Sequence, residues 1–445
     1  MRVRLVVGWV VILTMVAAIG YAQQPPVPQS VHQLSLAEAL ETARHNNPSY
    51  LTFVADRRPA AARSLSSAVS LFTPTVSVGG GTSWTQAGIY NLQGLQFPTP
   101  RTQGLAWNLN FNYLLSGTTI ANRGAAAAQL RAADQDIASS ATLLETSVRQ
   151  EYLNLLQARA QADLAQHVVA RAQEVLNLAQ ARYSVGQNTM IDVRQAQVAK
   201  GNADVSLLQA QQNVQVEVLK LYQQMGVPAP EGAQVVPTDS FTVMEPRWNQ
   251  DSLVALALAQ NPVLLALRAR ESAAAWNTRA AYSTYLPSLS FSASYGKFSQ
   301  TSFDTLGTST KTTGTSPWNL RLGLSLPIYD AFSRRTQVAQ ARAQQDDLRY
   351  SIRAQELQVT QAVNAAYLVL MTAYQTIGVQ ANNRAAADEA LSLATERYRV
   401  GSGDIIQLLN ARVDAETAGV NYINAVYDYH KAIAALEQAV GRTLR

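Results

Sequence analysis

The 445-residue chain contains no cysteine and only four histidines. Thiolate zinc sites, iron–sulfur clusters, disulfides and cysteine nucleophiles are therefore excluded, as is a lipid anchor on an N-terminal cysteine. Charge is scarce too. Asp, Glu, Lys and Arg make up 15% of the residues, against roughly 25% in soluble domains. The 35 basic and 30 acidic residues leave a net charge of +5, too even over this length for a nucleic-acid-binding surface. His32, His45, His167 and His430 have no metal-ligand spacing. No phosphate-cradling loop follows a strand, and Gly79-Gly80-Gly81 falls inside a strand pattern, where it suits close packing or a bend. No paired-carboxylate cleft is evident. The chain does not read as an enzyme, and no catalytic residue, metal or cofactor is expected. Ala, Gln, Ser, Thr and Asn stand in for charge, which fits polar but uncharged surfaces or many buried interfaces.

Residues 1–22 have the pattern of a signal peptide. Arg2 and Arg4 precede an apolar run from Leu5 to Ile19, and Gly20 and Ala22 occupy the −3 and −1 positions of a cleavage site before Gln23. The run is shorter than the roughly 17–25 residues of a membrane helix, and Pro25, Pro26 and Pro28 follow it. No later uninterrupted run of 18 apolar residues appears, so a helical inner-membrane protein is not expected.

The two halves of the chain repeat. Arg182-Tyr183-Ser184-Val185-Gly186 returns as Arg397-Tyr398-Arg399-Val400-Gly401 at an offset of 215. Asn47-Pro48 returns as Asn261-Pro262 at 214, and Trp107-Asn108-Leu109 as Trp318-Asn319-Leu320 at 211. The reading is a tandem duplication: a signal peptide (1–22), an N-terminal linker (23–35), a first repeat (36–226), an inter-repeat equatorial segment (227–250), a second repeat (251–441) and a tail (442–445). Each repeat opens with a helix broken at Asn-Pro and a second helix that ends before Pro74 or Pro287.

Strict alternation follows. Strands are expected at about 74–86, 105–115, 287–297 and 317–327. Leu289, Phe291, Ala293 and Tyr295 alternate with serines, and Trp107, Leu109, Phe111 and Tyr113 with asparagines. Period 2 means one greasy and one polar face. Their length is nearer the roughly 9–11 residues of a tilted membrane strand than the roughly 5–6 common in soluble sheets. Four strands cannot close a barrel, and open edges are not tolerated in lipid, so strands must be pooled from several chains.

Coiled helical hairpins are expected at about 120–225 and 332–440. Their long first helices lack proline and would span about 96 Å. Each ends at a Tyr-x-Val-Gly turn: Tyr183, Val185 and Gly186, then Tyr398, Val400 and Gly401. Asp192 and Asp404 lie just past the turns, and Asp404 is placed to cap the returning helix.

In combination, these features resemble the outer membrane efflux protein family, the TolC-like exit ducts of Gram-negative bacteria. The resemblance rests on the LSLAEALETARHNNP opening, both strand pairs, Leu326-Pro327-Ile328-Tyr329-Asp330 before the second long helix, and both turns. It implies an α+β membrane protein: a homotrimer with a twelve-stranded outer-membrane β-barrel, four strands per chain, continued by a periplasmic α-helical barrel. It implies passive export in a tripartite efflux or type I secretion system. The tips would dock a periplasmic adaptor, and an inner-membrane pump of RND, ABC or major facilitator type would drive transport. The chain departs from the family pattern in three places. Tyr113-Leu114-Leu115 replaces a Leu-Pro-Ile corner, the lipid-bearing cysteine is absent, and neutral Gln407 and Asn410 occupy the entrance positions where relatives carry acids. The rival readings are a diffusion porin or adhesin with a helical stalk, and a periplasmic scaffold rod.

Overall fold

The computed structural model describes residues 32–230, 232, 235–303 and 308–444; the expected signal peptide and its cleavage site lie outside them. After a short strand β1 (His32–Leu34) come α1 (Leu36–Asn46) and α2 (Pro48–Val69). Strands β2 (Thr75–Thr85), β3 (Gly88–Leu92), β4 (Leu95–Thr99) and β5 (Arg101–Leu115) lead into α3 (Gly117–Ser184) and α4 (Met190–Met225). A short strand β6 (Val235–Pro237) precedes α5 (Gln250–Gln260), α6 (Pro262–Ser283), β7 (Ser288–Phe303), β8 (Ser309–Ser325), α7 (Ser333–Arg399) and α8 (Ile405–Val440). Corresponding helices match in length: 11 residues in α1 and α5, 22 in α2 and α6, 68 and 67 in α3 and α7, 36 in α4 and α8.

The main sheet is antiparallel in the order β2-β5-β7-β8. Its register aligns the apolar sets of all four strands. Val76 faces Phe111, Phe111 faces Ala293, and Ala293 faces Leu320; one step along, Tyr113 faces Phe291 and Phe291 faces Leu322. The opposite face carries Ser77, Asn110, Ser294 and Asn319 in one row. A one-residue slip in any strand would exchange these faces. Trp107, Tyr295 and Trp318 cluster at one level, with ring centroids 5.8 and 5.3 Å apart, as in the aromatic girdle that borders a lipid-facing band. A bulge at Ser294/Gly296 admits Pro317 to β8 without breaking the strand.

Three strands run beyond their expected ends. β5 starts at Arg101, β7 continues to Phe303 and β8 starts at Ser309. The polar stretches outside the expected strand bounds keep pairing, because side chains at the outer end need not be apolar. The β3–β4 hairpin is a further correction; its two-residue turn, Gln93-Gly94, has both φ angles positive (51° and 86°), the type I′ geometry that matches strand twist.

The helical layer repeats the strand order. α2, α3, α6 and α7 pack side by side in that sequence, continuing β2, β5, β7 and β8; beyond the equator the order is α4, α3, α8, α7. Gln250–Ser283 and α7 are long and apolar enough by composition to cross a membrane. The first is broken at Asn261-Pro262, and its helices pack on α3, α7 and α8. The equatorial segment is fastened from both repeats. β1 and β6 pair in parallel, Asp239 accepts hydrogen bonds from the Leu36 N–H (2.6 Å) and the Tyr152 hydroxyl (2.9 Å), and the Tyr429 hydroxyl donates to the Met244 carbonyl. Burial, with the Asp239 carboxylate adding to it, pushes the Tyr152 phenol up to about 12.

The sheet register makes a graded prediction. Leu322 is 71% exposed on the isolated chain and Leu324 74%, yet Leu324 is one residue from the helical end of β8 while Leu322 lies nearer the centre of the apolar band. Leu322→Arg is expected to cost about 2–4 kcal/mol of folding into vesicles, and Leu324→Arg about 0–1. Equal costs in a urea titration would show that the band is not centred there.

Candidate docking tips of the helical hairpins

The first tip closes on the end of α3. The Gly186 N–H donates to the Tyr183 carbonyl (3.0 Å) and the Gln187 N–H to the Arg182 carbonyl (2.9 Å). Gly186 has φ +75° and open space where a Cβ would stand. Thr189 then caps α4: its hydroxyl accepts from the Asp192 N–H (3.4 Å), while the Asp192 carboxylate accepts from the Thr189 N–H (3.2 Å). This reciprocal capping box satisfies two otherwise orphaned donors. The second tip turns the same way. The Gly401 N–H donates to the Tyr398 carbonyl (3.2 Å), and the Ser402 and Gly403 N–H groups to the Arg397 carbonyl (2.9 and 3.0 Å). Asp404 stands where Thr189 stands in the first half and caps α8 through the Ile406 N–H (3.3 Å).

The two tyrosines at these turns have different surroundings. Tyr183 is 43% exposed and Tyr398 only 2%. Tyr398 is enclosed between the two hairpins: Asn188 Nδ2 donates to its hydroxyl (2.5 Å), and Arg182 donates to its backbone carbonyl and lies over its ring, 4.9 Å from the centroid. Burial raises the Tyr398 phenol above its ordinary range; Asp192 and Asp404 raise it further, while the Asn188 hydrogen bond and Arg182 act the other way. Asn188 and Arg182 were not legible as a site. Asn188 has Gly403 as its repeat counterpart, so the duplication gives no hint of it.

Val185 and Val400 project from the turns, 68% and 66% exposed. Gly401 (φ +86°) adjoins Arg182, whose Nη2 would lie 3.2 Å from an added Cβ. Asp404, Gln407 and Asn410 are exposed along the first turns of α8. Asn410 also lines the cleft between α8 and α4. Asp192 is half-buried in its cap. Among the described residues no cluster of His, Asp or Glu is arranged to hold a metal ion.

A sheet with one lipid-compatible face, and helices roughly 100 Å long leaving one end of it, is the build of an outer-membrane channel protein. The pattern described as "Outer membrane efflux protein" matches residues 39–227 and 253–442. The chain is 27% identical over 291 residues to the outer membrane efflux protein BepC of Brucella suis, a match covering 65% of this chain and 61% of BepC. It is 24% identical over 414 residues to the outer membrane protein TolC of Vibrio cholerae, covering 92% and 90% of the two chains. Among solved structures, the outer membrane protein VceC of Vibrio cholerae superposes with a TM-score of 0.75 at 19% identity, over 92% of this chain and 97% of that one. The Campylobacter jejuni CmeC outer membrane channel superposes with a TM-score of 0.76 at 18% identity, over 91% and 85%.

The chain belongs to the outer membrane efflux protein family. Membership places it in the outer membrane, among channels rather than enzymes, with a large helical region in the periplasm.

Proposed function

We propose that the protein is the exit duct of a tripartite efflux or type I secretion system, a passive channel through which an inner-membrane pump of RND, ABC or major facilitator type drives cargo by way of a periplasmic adaptor. The observation that carries this reading is the pair of exposed turns at the far end of the helices. Tyr183, Val185, Gly186, Val400 and Gly401 form the surface of those turns, and Tyr398 is the internal strut that ties them together. Each tip offers a small apolar knob beside a glycine, which suits tip-to-tip contact with helical hairpins of the adaptor.

A homotrimer is part of the same reading, and the open sheet edges support it. β2 pairs only with β5, and β8 only with β7, among the described strands, so both sheet edges are open. Lipid forbids open edges, and joining β2 of one copy to β8 of the next repeats around a ring. Three copies give twelve strands. Gln407 and Asn410 leave the entrance without acids at those positions, and Asp404 is the carboxylate nearest to it on α8.

Gly186→Trp and Gly401→Trp test the docking. The open space beside Gly186 lets the fold accept a side chain at a modest conformational cost, about 1–2 kcal/mol. Each variant is expected to reach the outer membrane as an assembled barrel, to lose crosslinking to the adaptor, and to leave cells as drug-susceptible as a strain lacking the protein. Normal export and normal crosslinking by both variants would exclude the tips as the docking surface.

A further inference from the structure

Behind the tips, α4 and α8 border an open groove of about 610 Å³, a volume within the range of small-molecule sites. Met190, Ile191 and Val198 of α4 and Ile406, Leu409 and Val413 of α8 give it apolar walls. Its polar lining comprises Arg194, Gln195, Asn202, Asn410 and Arg412, with no carboxylate.

Arg412 sits at the floor, only 7% exposed, beneath rim residues Ile191 and Val198 at 68% and 64%. Its guanidinium is poorly satisfied. Nη1 and Nη2 reach only the Ala199 carbonyl, both at 3.5 Å, and the buried Nε has no partner. Gln195 Oε1, also buried, has none either. Arg194 donates to Gln197 Oε1 (2.9 Å) rather than to an acid. Arg412 also borders a second cleft, between α3 and α7, that holds Glu174, Asp388 and Glu396. None of these pairs with it; Asp388 is taken by Arg384 and Glu396 by Arg399. Burial lowers the proton affinity of Arg412, and Glu416, one turn along α8, is the only charge that opposes this. A buried cation with unmet donors is costly, and among the described residues no carboxylate forms an ion pair with it; Glu416 acts on it only through its field.

We propose that this cleft binds an amphipathic anion, a carboxylate or sulfonate head on an apolar body, with the head on Arg412 and the body along the α4 and α8 walls. The head completes the guanidinium's donors, and the walls cover the body over about 18 Å, the rise from Met190 to Asn202. A narrow ligand has the size to lie between the rim side chains over Arg412, and a docking helix lying along the groove is the rival occupant. Asn410 lines the cleft and also lies at the proposed entrance, so an anionic cargo would meet this site on its way in. The site extends the exit-duct reading but does not depend on it.

The test is calorimetry on the full chain in lipid nanodiscs with 2-naphthylacetate, and with the neutral 2-naphthylacetamide as its isostere. The acid is expected to bind about tenfold or more tightly than the amide, as for gain of a charge-assisted hydrogen bond. Arg412→Gln should erase that preference. Val198→Trp, at the exposed rim, should block both ligands without disturbing the buried floor. Equal binding of acid and amide, or acid binding unchanged in both variants, would overturn the proposal. Since the chain has no cysteine, Val198→Cys provides a unique handle. Its crosslinking to another protein chain, undiminished by 2-naphthylacetate, would assign the cleft to helix docking instead. Export is not measured in any arm, so failure here leaves the exit-duct reading standing.

Discussion

Arg149→Ala is expected to destabilise the folded chain by about 3–5 kcal/mol, the cost of stranding a buried charge. Arg149 on α3 and Glu437 on α8 are 8% and 4% exposed and form an ion pair across the two repeats. Arg149 also donates to Glu145 (3.2 Å), which lies 3.7 Å from Arg44 of α1, and Glu437 accepts from the Leu444 N–H (3.0 Å). One cluster therefore joins α1, α3, α8 and the C-terminal tail. Removing the arginine leaves Glu437 buried with one backbone donor. The double variant Arg149→Met/Glu437→Leu is expected to unfold close to the parent or slightly later, because apolar partners of similar volume carry no desolvation cost. Chemical unfolding of the parent, Arg149→Met, Glu437→Leu and the double variant gives the cycle. An Arg149→Ala cost below about 1 kcal/mol, the worth of an exposed pair, would show that water reaches the cluster.

This ion pair also shows where reading by repeats stops working. At the 215-residue offset Arg149 corresponds to Asn364 and Glu437 to Tyr222. Asn364 accepts instead from Gln250 (2.9 Å). Duplication preserves what each half needs for its own fold: the Asn-Pro break, the strand alternation and the glycine turns. Those features were legible because backbone geometry and a lipid-facing sheet dictate residue types directly. Contacts between the halves are not periodic. Tyr183 and Tyr398 share a motif, yet one is half-exposed and the other enclosed, because Asn188 and Arg182 of the first hairpin close over the second. The outer strand extensions were missed for a related reason. Beyond the lipid band, alternation no longer distinguishes the two faces, so Thr310 or Ser302 looks like loop while backbone pairing continues.

Gly226→Ala and Gly441→Ala are expected to cost about 2–5 kcal/mol each, whereas Gly186→Ala costs about 1–2. All three glycines have left-handed φ angles, +74°, +88° and +75°, so the conformational part is shared. What differs is the space. A Cβ on Gly226 would lie 2.5 Å from the Asn46 carbonyl oxygen and 2.7 Å from Asn47 Cα; one on Gly441 would lie 2.7 Å from Pro262 Cδ and 3.0 Å from Asn261 Cα. These are backbone and ring atoms, which cannot swing aside. Nor can the segments retreat. Asn47 Nδ2 donates to the Gln224 carbonyl (2.8 Å) while its Oδ1 accepts from the Tyr50 N–H (3.1 Å). Asn261 does the same with the Ala439 carbonyl (3.2 Å) and the Val263 N–H (3.0 Å). Each asparagine thus caps a new helix while gripping the end of a returning one, and the glycine lets the two approach. This junction fixes where each hairpin returns against the body that carries the strands. Asn47→Ala should accordingly lose much of what Gly226→Ala loses, and the two together should cost less than their sum, since both open the same contact. Equal unfolding midpoints for Gly226→Ala and Gly186→Ala would remove the close approach from the account and leave backbone conformation alone.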